Sequence, residues 1–345
     1  MVARIEAVRV VTILAGLGED ATFVALHAAG TIGWYGPVTA EIGQYVEAVL
    51  AQPALGEPVN DHQSLHAALS RAIRADTSVV ASWAVGAVDC AAWDLHGQLA
   101  NVPVAELLAA PPRRRVPLYA SWLSIDVANG IPVAAVELVN RDGWQFTKWG
   151  LRKDPATEDR TAEAVRLVAA VRALAPALRQ EAAFDAVFTW DPEFACLFLD
   201  ELDSASVRWL EDPLPQCDLE VYEALAMSIP LALGERLLLH ADAEAMLGLK
   251  LQAFTLDVVG CGGLTRAADL VTAAYMRGVP VYPHGRSFVP AVHLAAAYPD
   301  AIAAVEYRLQ WEPVRQRTYA QPWLPAHGAI TVPRSPGLGT TPRSC

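Results

Sequence analysis

The sequence predicts an α/β protein built on a closed barrel of eight parallel strands, preceded by a separate α+β unit. Three observations lead there. β-rich runs alternate with amphipathic helical runs eight times across about 190 residues, a pattern of parallel sheets, and the number eight favours closure over an open doubly wound sheet. The first hundred residues have a different texture. Ionisable side chains stand at the ends of seven of the eight β-rich runs, where a barrel would bring them to one mouth.

At the N-terminus, β-rich runs over 8–14 and 22–27 flank a Gly-containing turn and lead into a loop over 30–37, the pattern of a hairpin or small meander. Helical patterns follow over 64–75 and 79–99, rich in Ala, Leu and Trp, and the stretch 101–103 breaks the second with Asn101 and Pro103. The barrel strands are expected over 116–121, 145–149, 181–185, 207–211, 230–235, 254–257, 280–284 and 302–306. Between the second and third, Ala164, Leu167, Val168 and Val171 repeat as one helical face, with Pro176 past its end. Further helices are expected over 192–202, 219–226, 241–249, 264–277 and 289–297. No clear eighth helix appears in 308–325, and the strand-like run 328–339 is expected to pack back on the N-terminal unit. The domain reading is therefore 1–112, 113–312 and a returning segment 313–345.

Composition narrows the class. The 345 residues are 53% hydrophobic and 19% charged, which excludes global disorder and provides for a large core. Acidic residues outnumber basic ones 38 to 26, for a formal charge of −12, so no basic stripe is available to neutralise nucleic-acid phosphates. Cys90, Cys196, Cys217, Cys261 and Cys345 are odd in number and scattered without CxxC spacing, which suggests reduced thiols rather than a disulfide frame. The start reads as no signal peptide, and no run of 18 uncharged apolar residues suggests a membrane span. A soluble cytoplasmic protein without a membrane or nucleic-acid partner is the expectation.

The strand ends carry the chemistry. In order from the second strand they are Lys148, Asp185, Glu211, Glu235, Asp257, His284 and Glu306, spaced after Asp185 by 26, 24, 22, 27 and 22 residues, about one βα unit each. One acid at a strand end commonly caps a helix. Asp185, Glu211 and Glu235 on consecutive strands would repel one another in a shared pocket unless a cation were bound, and hard oxygen donors suit Mg²⁺ better than zinc. His284, in VYPHGRS, follows a buried strand at a turn, and Asp257 on the neighbouring strand would fix its tautomer and raise its basicity, as a general base requires. Lys148 would neutralise a substrate carboxylate or developing oxyanion. The GCGG run at 260–263 lacks the frame of a phosphate loop and reads as a tight βα turn. Trp34 and Tyr35, in a Gly-flanked loop, either close over the mouth or pack in the core.

At these residues the chain resembles the enolase superfamily, in its mandelate racemase-like branch. The resemblance runs through AVDCAAWDLHGQ, FDA, WLEDPLP, LGER, LDVVGCGG, YPHG, VEY and the closing PGLG. It implies a (β/α)7β TIM-like barrel under an N-terminal α+β capping domain, a homo-oligomer, and Mg²⁺ on Asp185, Glu211 and Glu235. It also implies removal of the proton α to a carboxylate through a metal-stabilised enediolate, with His284 and Asp257 as the base pair and Lys148 and Glu306 polarising the substrate. Racemases and lactonising enzymes of the family carry KxK on the second strand, whereas this chain has Lys148-Trp149-Gly150, so a base on each face is missing and simple racemisation is disfavoured. The Lys-Trp strand end, Val187 two residues after Asp185, and YPHG are most similar to rhamnonate dehydratase-like acid-sugar dehydratases, and Glu235-Arg236 to galactonate dehydratase-like ones. The implied activity is dehydration of an aldonate-type acid sugar to its 2-keto-3-deoxy acid. An epimerase, racemase or cycloisomerase of the same superfamily and a non-catalytic metal-binding protein are the alternatives. Trp34, Tyr35, Trp149, Arg236 and Arg286 are candidate substrate contacts.

Overall fold

The computed structural model describes residues 2–15, 19–202, 207–215 and 219–343. Cys90, Cys196 and Cys261 are free thiols, while Cys217 and Cys345 lie outside the described residues.

The N-terminal unit is a three-stranded antiparallel sheet, β1 (Ala7–Ala15), β2 (Glu19–Ala28) and β3 (Thr31–Val38), in that order. The sequence reading made 30–37 a loop, and the structure corrects it. Ala29 and Gly30 both have positive φ, +49° and +73°, the geometry of a two-residue hairpin turn whose twist matches the strands it joins. Trp34 and Tyr35 are therefore strand residues, paired with Ala25 and Val24. The glycines that made the run look like a loop serve close packing: a Cβ on Gly33 would come within 2.4 Å of the Ala91 carbonyl.

That carbonyl belongs to the long helix Val79–Ala100. Ser78 opens the helix by accepting a hydrogen bond from the Ala81 amide at 3.1 Å, and Asn101, in the left-handed region at φ +56°, closes it. One side of the helix covers the N-terminal sheet. The other meets the barrel at Gly86, where a Cβ would lie 2.1 Å from the Val259 carbonyl. The GCGG run is thus a tight turn on which this helix rests.

Eight positions close the barrel. The strands are β4 (Arg115–Asp126), β5 (Thr147–Gly150), β6 (Ala182–Asp185), β7 (Leu210–Glu211), β8 (Leu231–Leu233), β9 (Ala253–Phe254) and β10 (Val305–Arg308), all parallel, with β10 pairing back on β4. The expected strand over 280–284 reduces to Val281, which bridges Phe254 and Ile302. Pro280 and Pro283 on either side of it offer no amide to a ladder. The helix Arg160–Leu174 buries Ala164, Leu167, Val168 and Val171, the face read from the sequence. The helix Val133–Arg141 completes the first βα unit and escaped the sequence reading.

Side-chain alternation fixes what fills the barrel. Tyr119, Phe146, Ala183, Trp209, Ala232, Ala253, Tyr282 and Ala304 form one interior layer, large rings against alanines. Two residues further along each strand the same inward direction recurs. It falls on Lys148, Asp185, Glu211, His284 and Glu306, all buried.

The tail is joined to both parts. It was expected on the N-terminal unit, yet β11 (Ala329–Thr331) first pairs antiparallel with β4 of the barrel. Only then does it reach the cap, where the Leu338 amide donates to Asp94 at 2.6 Å and the Thr340 hydroxyl to the Trp34 carbonyl at 2.6 Å. Among the described residues no helix is long and apolar enough to cross a membrane.

Candidate active site

The layer above the aromatic floor is crowded with charge. The Lys148 ammonium lies 2.6 Å from Glu211 Oε1, 3.2 Å from Glu306 Oε1 and 3.3 Å from Asp185 Oδ2, with its side chain fully buried. Burial alone would push the lysine toward neutrality, but the carboxylates of Glu211, Glu306 and Asp185 reverse this and hold it cationic. Glu211 also accepts from the Trp209 indole N–H at 3.0 Å, so its Oε2 is oriented by the floor of the barrel. Asp185 Oδ1 accepts from the Val187 amide at 2.9 Å.

His284 forms the second half. Its Nδ1 lies 3.1 Å from Asp257 Oδ2, and since an ionised carboxylate only accepts, Nδ1 carries the proton and Nε2 faces the mouth. Nε2 is 3.6 Å from both Glu235 and Glu306. Burial lowers the imidazole, but Glu235, Glu306 and the hydrogen bond it donates to Asp257 outweigh it and raise His284 to about 9. Asp257 is fixed in turn: its Oδ1 accepts from the Val259 and Gly260 amides at 3.1 and 2.8 Å and from the Ser287 hydroxyl at 2.5 Å. Glu306 Oε2 accepts from the Gly285 amide at 2.7 Å. Burial would raise Glu306, yet Lys148, His284 and Arg308 keep it ionised and well below the usual carboxylate range.

Six carboxylates, those of Asp185, Glu211, Asp212, Glu235, Asp257 and Glu306, thus face one lysine and one histidine. The excess negative charge tells on these groups: burial, with neighbouring acids and against the pull of Lys148, pushes Asp185 up and Glu211 up to about 8, and burial and then neighbouring acids push Asp212 well above the carboxylate range. Asp185 Oδ2, Glu306 Oε1 and both oxygens of Asp212 are buried without a hydrogen bond. Buried carboxylate oxygens left unbonded beside excess negative charge are what a hard divalent cation satisfies. Among the described residues, no three acids or histidines close by themselves into a metal cage, because the Lys148 ammonium stands between Asp185, Glu211 and Glu306, and Glu235 leans toward His284. In donor chemistry the cluster fits Mg²⁺.

The candidate substrate contacts divide. Trp149 is corrected: the alternation that turns Lys148 inward turns Trp149 out, where it is wholly buried and donates its indole N–H to Thr147 at 2.9 Å. It belongs to the outer core. Trp34 and Tyr35 are on β3 and not on a closing loop. Tyr35 is buried, and its phenol is pushed up by that burial, against the pull of Arg315. Trp34 gives its backbone amide to Asp94 at 2.8 Å. Arg236 and Arg286 are exposed and lie over Phe188 and Trp83, at 3.6 and 4.4 Å from the ring centres.

Sequence reasoning missed three residues of the cluster. Asp212 directly follows Glu211 and Ser287 stands three residues after His284, so the motifs contained both without separating them from their neighbours. Arg308, two residues past Glu306 on the same strand face, was recoverable from alternation alone. A cleft beside β11, away from the mouth, is lined by Arg115, Trp323, His327 and Ile330 among others, with no acid in its lining.

A parallel barrel with acids, a lysine and a histidine–aspartate pair on its inner strand ends, beneath an α+β cap, is the architecture of a barrel enzyme. The chain belongs to the enolase superfamily: residues 131–344 match the enolase C-terminal domain-like family, and residues 21–109 the N-terminal domain of the mandelate racemase / muconate lactonizing enzyme family. It is 26% identical over 332 residues to the D-galactarolactone cycloisomerase of Agrobacterium fabrum, covering 90% of this chain and 85% of that one. It is 27% identical over 281 residues to the D-xylonate dehydratase of Haloferax volcanii, covering 75% and 67%. In fold it matches a mandelate racemase/muconate lactonizing protein from Paracoccus denitrificans solved with magnesium, at a TM-score of 0.80 and 22% identity over 99% of this chain and 96% of that one.

Proposed function

We propose that the protein is a Mg²⁺-dependent acid-sugar dehydratase, a hydro-lyase acting on an aldonate-type acid. The observation that carries the reading is one-sided basicity. His284, held by Asp257, presents Nε2 to the mouth, while the inward position two residues past Lys148 on β5 is Gly150, so the second strand supplies no base opposite. A single base suits elimination better than exchange of one proton between two faces.

His284 Nε2 would take the C2 proton, and as an imidazolium would return it to the departing 3-hydroxyl, which leaves as water. The resulting enol rearranges to the 2-keto-3-deoxy acid. Asp257 holds the imidazole tautomer, and Ser287 with the Val259 and Gly260 amides holds Asp257. Lys148 would stabilise charge developing on the substrate carboxylate. Glu306, kept ionised, would orient Lys148 and the Gly285 turn. Asp185, Glu211 and Glu235 would hold the cation. Mg²⁺ held there would supply positive charge where the substrate carboxylate gains negative charge, and would draw on Glu235, one of the carboxylates that raise His284.

Support also comes from relatives named as acid-sugar dehydratases, with a cycloisomerase beside them as the leading alternative. The test is incubation with Mg²⁺ and a library of aldonic and aldaric acids, reading 2-keto acid formation and C2–H exchange in D₂O, with His284→Asn as control. Turnover lost in His284→Asn supports the dehydratase. Exchange without loss of water would point to an epimerase or cycloisomerase, and Mg²⁺ binding with no exchange to a non-catalytic role.

A further inference from the structure

The helix Val79–Ala100 does more than cover the N-terminal sheet. Ser82, Gly86, Asp89 and Trp93 follow one another at helical spacing, so they share one face, and that face meets the segment between Asp257 and Thr265. Ser82 donates its hydroxyl to the Gly260 carbonyl at 2.6 Å. A Cβ on Gly86 would lie 2.1 Å from the Val259 carbonyl, so the helix backbone rests directly on that peptide. Asp89 accepts from the Thr265 amide at 3.0 Å and from its hydroxyl at 2.5 Å, and the Trp93 indole N–H donates to the same hydroxyl at 3.0 Å. Three of the four contacts are hydrogen bonds, which fix position as apolar packing does not.

Val259 and Gly260 face two ways. Their amides donate to Asp257 Oδ1 at 3.1 and 2.8 Å, while their carbonyls lie against Gly86 and Ser82. The two residues that hold the aspartate are therefore themselves held by the cap. With Oδ1 taken by those amides and by Ser287, Oδ2 is the oxygen left for His284 Nδ1, at 3.1 Å. Ser82 Oγ also accepts from the Leu239 amide at 2.8 Å, four residues past Glu235, and the serine is 2% exposed. Arg266 joins the same two loops to each other from the barrel side, donating to the Leu238 and Cys261 carbonyls at 2.9 and 3.0 Å. Ser82 adds their attachment to the cap.

We propose that Ser82 is a positioning residue: through the Gly260 peptide it lets the cap helix set the aim of the Asp257–His284 pair, which makes the N-terminal domain part of the catalytic frame. This role rests on the reading of His284 as the base. Removing the hydroxyl leaves the Gly260 carbonyl and the Leu239 amide without that partner and frees the turn to shift. A misplacement of about 1 Å at a reacting group can cost on the order of 10²-fold in rate.

The test uses the Mg²⁺-loaded full chain with ¹⁵N-labelled histidine. The Nδ1 proton of His284, buried and hydrogen-bonded to Asp257, gives a far-downfield proton resonance, assigned by its loss in His284→Asn. Ser82→Ala is expected to shift or broaden that resonance, and Ser82→Thr, which keeps the hydroxyl, to restore it. Trp93→Phe removes a hydrogen bond of the same helix face at Thr265, so it is expected to lower the melting temperature and leave the resonance in place. For the acid of the aldonic and aldaric library that the wild type exchanges fastest, Ser82→Ala is expected to lower kcat roughly 10- to 100-fold with KM within about twofold, and Trp93→Phe to keep both near wild type. If Ser82→Ala does not fold, Ser82→Cys, which fills the same space with a weaker donor, decides by the same two readouts. An unmoved resonance, or equal kcat losses in the Ser82 and Trp93 variants, overturns the positioning role and leaves the dehydratase standing. A resonance that Ser82→Ala moves and Ser82→Thr restores, in a protein that exchanges no acid, supports the positioning and overturns the dehydratase reading.

Discussion

Two sets of fully buried carboxylates in this molecule behave differently. On the helix Val79–Ala100, Asp89 accepts from the hydroxyl and amide of Thr265, and Asp94 accepts from the Trp34 and Leu338 amides at 2.8 and 2.6 Å. Burial raises these two to about 7 and about 6, and their hydrogen bonds hold back a larger rise. Every oxygen has a partner, and the partners lie on different segments, so these acids tie sheet, helix, barrel and tail together. At the barrel mouth the same residue types are equally buried, yet both oxygens of Asp212 are without a hydrogen bond, and Asp185 Oδ2 and Glu306 Oε1 share one ammonium, that of Lys148, at 3.3 and 3.2 Å. Burial alone therefore does not distinguish a structural acid from a functional one. Charge balance does: the helix acids are each held by uncharged donors of their own, whereas the mouth acids share Lys148 and His284 and leave Asp212 unpaired, a cost that a bound cation would recover.

The comparison can be broken at either end. The largest expected effect is at the mouth: His284→Asn should lower turnover by about 10²–10⁴-fold, the range of a positioned general base, with little change in melting temperature. Steady-state rates beside a thermal melt check this, and a parallel loss of fold would defeat it. Lys148→Ala or Glu306→Gln should slow turnover by about 10²–10³-fold, as removal of a preorganised charge partner does, and near-normal rates in both would remove their assigned roles.

A pH prediction concerns a third satisfied group, His293. It accepts the Ala105 amide at 3.0 Å and donates to the Leu338 carbonyl at 3.0 Å, which requires the neutral ring, and burial lowers it to about 4. The unfolded chain takes up the proton near pH 6.5 and the folded one near 4, so its contribution is full above pH 6.5 and is lost as pH falls through about 4. The loss is on the order of 3 kcal/mol. Denaturant melts across this window should show the stability gap between wild type and His293→Asn shrinking with acid, and a constant gap would contradict it.

Mg²⁺ should stabilise the mouth and do nothing for the helix acids. At a hundredfold excess over its Kd a cation bound only by the folded state adds about 2.7 kcal/mol, readable as a rise in melting temperature. Asp185→Asn should lose that rise and Asp94→Ala keep it. The smallest expected effect is Asp94→Ala itself, which leaves the Trp34 and Leu338 amides unpaired at a cost of about 1–3 kcal/mol, measured in the same melts.

Much of the barrel was legible because its signals are local. Strand ends one βα unit apart, and the face of Ala164, Leu167, Val168 and Val171, need only the periods of strand and helix. The same period of two already turned Trp149 away from the mouth and Arg308 toward it, and sequence reading left that consequence undrawn. Other features had no local signal. Trp34 and Tyr35 became strand residues because β2 and the helix Val79–Ala100 lie on either side of them, so glycines that suggest a loop serve close packing instead.

The sequence by itself determined the alternation of strands and helices through most of the barrel, the inward line of ionisable residues and the family they resemble, since each follows from spacing and motifs along the chain. Only the tertiary structure decided which acids are satisfied and which are not. It set Lys148 among three carboxylates, tied Ser287 to Asp257, left Asp212 unbonded and laid Arg308 beside the base on Trp311. Hydrogen-bond satisfaction and charge balance depend on groups up to hundreds of residues apart meeting at a few ångströms. No local period encodes those meetings.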